Sequence, residues 1–166
     1  ATDEDEDELR YSAELLTDAG TRMWPLASGL RDPFVSFDES RLPDGNYRVR
    51  VSADDAPANA GKENLRTEHV SSTFAVDRTP PTLKGTVKGL LVSLSAEDFS
   101  PIIRAECTVD GGEPLGGAPA DGILDGVKED VLITLPRLDK GRHVVACRAE
   151  DAMGNVGRVV LQADAP

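Results

Sequence analysis

Aromatic residues are scarce in this 166-residue chain, at 4% of the total. Any core must therefore be assembled from Val, Leu, Ile and Ala, and there is little from which to build a row of rings for stacking on sugars. Cations are also in short supply, with 18 Lys and Arg against 30 Asp and Glu and a formal net charge of −12. Phosphate recognition needs clustered Lys and Arg, so nucleic acid is excluded as a partner and an anionic membrane surface is disfavoured. No run approaches the roughly 18 apolar residues of a membrane span. The opening ATDEDEDE is the opposite of a signal peptide, so a secretion signal is expected outside this chain. The two cysteines permit at most one internal disulfide. The sequence also lacks GxSxG, HExxH and a phosphate loop, and no enzyme activity is expected.

What the chain does contain is a repeat. The stretch LPDGNYRVRVSADDAPAN at 42–59 aligns without gaps on LDKGRHVVACRAEDAMGN at 138–155, an offset of 96. Two adjacent prolines in RTPPTLKG cannot donate ladder hydrogen bonds, which marks a linker near Asp77 to Pro81. Two modules are expected, over residues 1–78 and 79–166, with the short Pro-rich linker limiting hinge motion between them. The same offset puts the start of the first repeat about sixteen residues ahead of Ala1, so the first module is expected to lack its opening strand or strands. An open edge of that kind invites strand donation from a neighbour.

The hydrophobic period is two rather than 3.6. Tyr47, Val49, Val51 and Ala53 alternate with Arg48, Arg50 and Ser52, and His143, Val145, Cys147 and Ala149 hold the equivalent inward positions. Further strands are expected at Leu9–Leu16, Arg22–Ala27, Phe34–Phe37 and Glu68–Val76, and then at Thr82–Thr86, Leu90–Ala96, Ile102–Val109, Val131–Leu135 and Val156–Gln162. Gly and Pro punctuate nearly every junction, and the Gly-rich stretch 111–126 reads as one long loop. Short, evenly spaced strands without a helical stripe predict an all-β chain of antiparallel sandwiches.

The lead-in Leu42-Pro-Asp-Gly-Asn-Tyr47, the strand after it and the ending AEDAMGNVG at 149–157 together resemble tandem bacterial immunoglobulin-like and fibronectin type III-like modules. The acidic start through Tyr11, with Trp24, is similar to such modules at the ends of large secreted bacterial proteins. The resemblance implies two tandem β-sandwiches, with Tyr47 forming a tyrosine corner whose phenol bonds nearby backbone. His143 stands at that position in the second copy, where an imidazole can donate a similar bond. It also implies an extracellular or periplasmic location, which fold likeness alone does not convert into a function.

Three groups of residues are candidate sites. Asp3, Asp5 and Asp7 alternate as calcium ligands do, faintly like the acidic runs of cadherin repeats, and the expected topology brings their loop to the end that carries Asp54, Asp55 and Asn59. The competing reading is a solvated, mobile terminus, without the glycine and bidentate glutamate of an EF-hand. Asp54, Asp55 and Asn59, with Asp151 and Asn155 in the second copy, suit a turn in which Asx side chains bond backbone amides, and recurrence in both repeats supports that turn role. Cys107 and Cys147 are expected on neighbouring strands of one sheet, either as a disulfide or as two small buried hydrophobes. Trp24 is either core or a sugar-stacking platform. His69 and His143 fall in different modules and are most simply strand residues. The expected function is a non-catalytic spacer or presentation module that makes protein–protein contacts beside other domains of a longer chain. A calcium-stabilised adhesion or ligand-binding module is the first alternative, and a carbohydrate-binding accessory domain of an enzyme the second.

Overall fold

In the computed structural model, residues 8–55 and 65–166 are described. The chain divides into two compact units, Ala1–Val76 and Asp77–Pro166, and all of its sheet pairings are antiparallel.

In the first unit, β1 (Arg10–Thr17), β2 (Arg22–Leu30), β3 (Gly45–Asp54), β4 (Arg66–Val70) and β5 (Phe74–Val76) form one sheet in the order β2-β1-β3-β4, with β5 also on β3. The long strand β3 organises it, pairing over Tyr47–Asp54 with β1 and along successive parts with β5 and β4. Leu15, Leu42, Tyr47 and Val76 are buried together, with Met23, Trp24, Leu26, Val49 and Phe74 packed against them. Trp24 is thus engaged with this core.

The period-two expectation for β3 holds at Tyr47, Val49 and Ala53 and fails at Val51. Val51 is 40% exposed while Ser52 is buried. Among the described residues this unit has a single sheet, so no opposing layer covers the middle of the strand. Phe34–Phe37 is not a strand. The segment is irregular, Phe34 is 75% exposed, and a short 3-10 turn at Glu39–Arg41 follows, capped by the Asp38 side chain. Pro33 withholds a donor just ahead of it, and neither β2 nor β4 receives it as a neighbour. The single strand expected at Glu68–Val76 is broken into β4 and β5, which take up two different stretches of β3.

The second unit is a two-sheet sandwich. One sheet orders β10 (Ala118–Pro119), β11 (Lys128–Thr134), β7 (Leu91–Glu97) and β6 (Thr82–Lys88). The other orders β13 (Val156–Ala165), β12 (Gly141–Asp151), β8 (Ile102–Val109) and β9 (Leu115–Gly116). Val92, Leu94 and Ala96 of β7 and Val131 and Ile133 of β11 alternate inward, facing Ala105 and Cys107 of β8 and Val145, Cys147 and Ala149 of β12. With so few rings, aliphatic burial carries this core, at about 1.5–3 kcal/mol for each fully buried large side chain.

The Gly-rich stretch is more ordered than a long loop. Its strands β9 and β10 pair with β8 and β11, in opposite sheets, so the chain crosses the sandwich between them at Gly117. A Cβ on Gly117 would collide with Val131 and Ile133, which only glycine avoids. A second close approach lies where β13 begins, since a Cβ on Gly157 would run into the Pro81 carbonyl and the Leu83 side chain. The obstacle there is backbone at the entry to β6 and yields little. Gly157→Ala is therefore expected to destabilise the second unit by about 1–3 kcal/mol, the usual cost of overpacking, read as a lower denaturant midpoint for that unit's transition.

Candidate functional site

The second unit brings three aspartates together at one end. Asp77 precedes β6, Asp98 follows β7 and Asp151 closes β12, and one carboxylate oxygen from each lies within 4.8 Å of the others. Asp151, 0% exposed, is the best satisfied. Its Oδ1 accepts from the Met153 and Asn155 amides at 2.7 and 2.9 Å, and its Oδ2 accepts from Asn155 Nδ2 at 2.8 Å. The same Asn155 side chain donates to the Asp77 carbonyl at 3.0 Å, tying the start of the unit to the β12–β13 turn. Asp77 Oδ1 accepts from the Thr79 amide at 3.1 Å, and the Phe99 amide donates to Asp98 Oδ1 at 2.6 Å. Among the described residues, no donor reaches Asp77 Oδ2 or Asp98 Oδ2, although both atoms are buried.

The electrostatics follow from this unequal supply of donors. Burial pushes the Asp98 carboxyl up to about 6, against the pull of the Phe99 amide, and neighbouring Asp151 and Asp77 push it the same way. Burial would raise Asp151 too, but the Asn155 side chain and the Asn155 and Met153 amides outweigh it and hold Asp151 below the ordinary carboxylate range. A second acidic group, Asp121, Asp125 and Glu129, is different in kind. There Glu129 Oε1 accepts from the Asp125 and Gly126 amides, so that buried carboxylate already has its donors.

The acidic residues singled out in the first repeat are only partly in view. Asp3, Asp5, Asp7 and Asn59 lie outside the described residues. Asp54 ends β3, and buried Asp55 follows it. Asp55 Oδ1 accepts from the Leu65 amide at 2.9 Å, and the Asp55 amide donates to the Leu65 carbonyl at 3.3 Å. Asp55 and Asp151, equivalent in the repeat, thus both pin the chain where it leaves the long strand. Sequence reasoning did not single out Asp77 or Asp98. Asp98 falls just past the strand expected at Leu90–Ala96, and Asp77 marks only the edge of the expected linker.

The two corners are equivalent in geometry and unequal in chemistry. The Tyr47 hydroxyl donates to the Pro43 carbonyl at 2.7 Å, four residues back. His143 Nε2 bonds the Asp139 carbonyl at 2.8 Å, also four residues back, while Nδ1 lies 2.7 Å from Asp110 Oδ2. Both partners are acceptors, so both ring nitrogens must donate, which calls for the imidazolium. Asp110 is held in place at φ 51, with its Oδ1 accepting from the Val144 amide at 2.8 Å. The Asp110 carboxylate, and then the Asp139 carbonyl, raise His143 above its ordinary value, and His143 in turn lowers Asp110.

Cys107 and Cys147 are directly opposite each other on β8 and β12, both buried, and joined as a disulfide across 40 residues. One position along, on the outer face, Glu106 is buried between Arg104 and Arg148, at 2.9 and 2.7 Å. Burial opposes its ionisation, but the two guanidiniums win and hold it below the ordinary range.

No family model matches the chain, and no curated protein matches it. Among solved structures it is similar to the fibronectin(III)-like modules of Clostridium thermocellum CbhA, with TM-score 0.39 and 15% identity over 92% of this chain and 76% of that one. It is also similar to the human desmocollin-1 ectodomain, with TM-score 0.37 and 16% identity over 96% of this chain, which spans 30% of that one.

Two measurements follow from this geometry. A raised histidine contributes stability that is fully present below its ordinary value and lost as pH rises through the folded value, so the second unit of the wild type is expected to weaken as pH rises above about 6.5 and through the raised folded value. His143→Gln should flatten that slope, and an NMR titration of the imidazole should show the raised value directly. Reducing the disulfide should lower the stability of the second unit by roughly 3–4 kcal/mol on the loop-entropy account for a loop of this size, with little change in the first unit's transition.

Proposed function

We propose that the chain is a non-catalytic structural module of a larger secreted or cell-surface bacterial protein, a spacer that presents neighbouring domains. One observation carries the reading. Where the structure describes them, Tyr47, His143, Asp55, Asp151 and Asn155 each hold a corner or a strand end in place. These are the polar side chains that the repeat singled out, and their work is mechanical. The imidazole nearest to a catalytic posture, His143, has both nitrogens engaged by a carboxylate and a carbonyl.

The joined and buried Cys107 and Cys147 support an oxidising compartment, extracellular or periplasmic. Among the described residues, no helix is long and apolar enough to cross a membrane. Contacts with partner proteins or adjacent domains fall to the loops at the sheet ends, where sequence is least constrained by packing.

A domain swap in the full-length protein tests the reading. Replacing both units by two unrelated β-sandwich modules of similar span should preserve the display or activity of the remaining domains, whereas deleting both units should impair it. Loss of function on the swap, with the replacement modules folded, would overturn the spacer reading and point to a specific binding surface.

A further inference from the structure

We propose that Asp77, Asp98 and Asp151 form a binding site for a hard divalent cation of the calcium class, built into the end of the second unit. Three separate junctions of the sandwich supply the ligands, one before β6, one after β7 and one after β12. Their oxygens lie within 4.8 Å of one another. Calcium takes oxygens at 2.3–2.6 Å, so ligands on opposite sides of one ion stand about 4.6–5.2 Å apart and adjacent ones stand closer. One ion is therefore able to reach all three.

The cluster alone would not establish a site, since acidic groups often gather at sheet ends. The decisive observation is the state of Asp77. The residue is 6% exposed, its Oδ1 takes the Thr79 amide, and its Oδ2 is buried facing no donor. Asp98 Oδ2 is in the same position. A buried carboxylate oxygen that has given up water and gained no N–H is costly unless positive charge lies beside it. Among the described residues that charge is not supplied, since none of their ion pairs involves these three aspartates. The nearby amide of Asn155 Nδ2 is already committed to Asp151 Oδ2 and the Asp77 carbonyl. Asp121, Asp125 and Glu129 show the contrast, since the buried carboxylate of that group takes two amide donors and no carboxylate oxygen of the group is buried without a partner.

The donor set also selects the ion. It is all oxygen and anionic, and both cysteines are locked in the disulfide, so soft and borderline metals that prefer thiolate or imidazole are poorly served. Magnesium demands a near-ideal octahedron and parts with its waters reluctantly. Three carboxylates on three separate loops better suit the irregular, higher coordination of calcium, with water completing the shell. Such an ion would cross-link the entry to β6, the end of β7 and the β12–β13 turn, and so rigidify the end at which this unit begins.

The test uses the full chain, stripped with chelator and titrated with calcium or magnesium chloride by calorimetry and by thermal melting. Calcium is expected to bind and to raise the melting temperature of the second unit. Asp77→Asn and Asp98→Asn should each weaken that binding at least roughly tenfold, since affinity follows ligand charge count, while Asp121→Asn leaves it unchanged. The intact disulfide and an unchanged far-ultraviolet spectrum would show that each variant is folded. Should a variant fail to fold, manganese broadening of the wild-type Thr79, Phe99 and Met153 amide resonances locates the ion without any substitution. The assignment is overturned by no response at millimolar calcium, by a response to magnesium alone, by undiminished affinity in both folded variants, or by broadening confined to other residues.

Discussion

The second unit depends on the carboxylate of Asp151. It is wholly buried, and it survives there because three donors converge on it from the turn that it closes. Gly154, in the left-handed region at φ +86, lets the chain fold back tightly enough to aim the Met153 and Asn155 amides at one oxygen. Asn155 then extends the constraint to the Asp77 carbonyl, where the unit begins. A single buried charge thereby connects the end of β12, the start of β13 and the lead-in to β6. Removing a partner from such a group is far more disruptive than its net contribution suggests, because the charge would be left buried and unpaired.

Register is the next level of constraint. With β12 and β8 locked by the Cys107–Cys147 pairing, inward positions follow in step, Val145 opposite Val109 and Ala149 opposite Ala105. The outward positions follow too, placing Arg148 opposite Glu106. A slip of one residue would turn the aliphatic face to water and bury the charged one, so packing, disulfide and ion cluster all select the same alignment. The first unit has no such lock among its described residues. Its single sheet leaves Val51 and Phe34 exposed, while the Tyr47 corner, the cluster around Leu15 and the pairing of Glu14 with Arg50 and Arg22 order its centre. Strong net negative charge suits a chain of this kind, since like charge limits association between exposed strand edges.

Much of the second unit was legible because its signals are local or periodic. β8 runs over Ile102–Val109 as alternation predicts, and β6, β7, β11 and β13 lie where apolar alternation and Gly-Pro punctuation put them. The corners were legible at Tyr47 and His143 because a phenol and an imidazole can each return a bond four residues upstream. Phe34–Phe37 misled for the complementary reason, since its apolar pattern is real but no neighbouring strand is in place to pair with it. The short strands β9 and β10 were hidden because two residues carry no period, and each exists only through the sheet that accepts it.

The candidate site divides along the same line. By itself, the sequence determined the repeat, the two-residue period, the turn role open to Asp55 and Asp151, and the small number of residues able to cross-link the chain. Each of these is encoded in adjacent residues or in a fixed offset. Only the tertiary structure decided that Asp77, Asp98 and Asp151 share one volume, since more than fifty residues separate Asp98 from Asp151 and the sandwich alone brings their strand ends together. It alone decided which carboxylate oxygens found donors and which did not. Hydrogen-bond satisfaction is a property of a place in space, and no pattern along the chain records it.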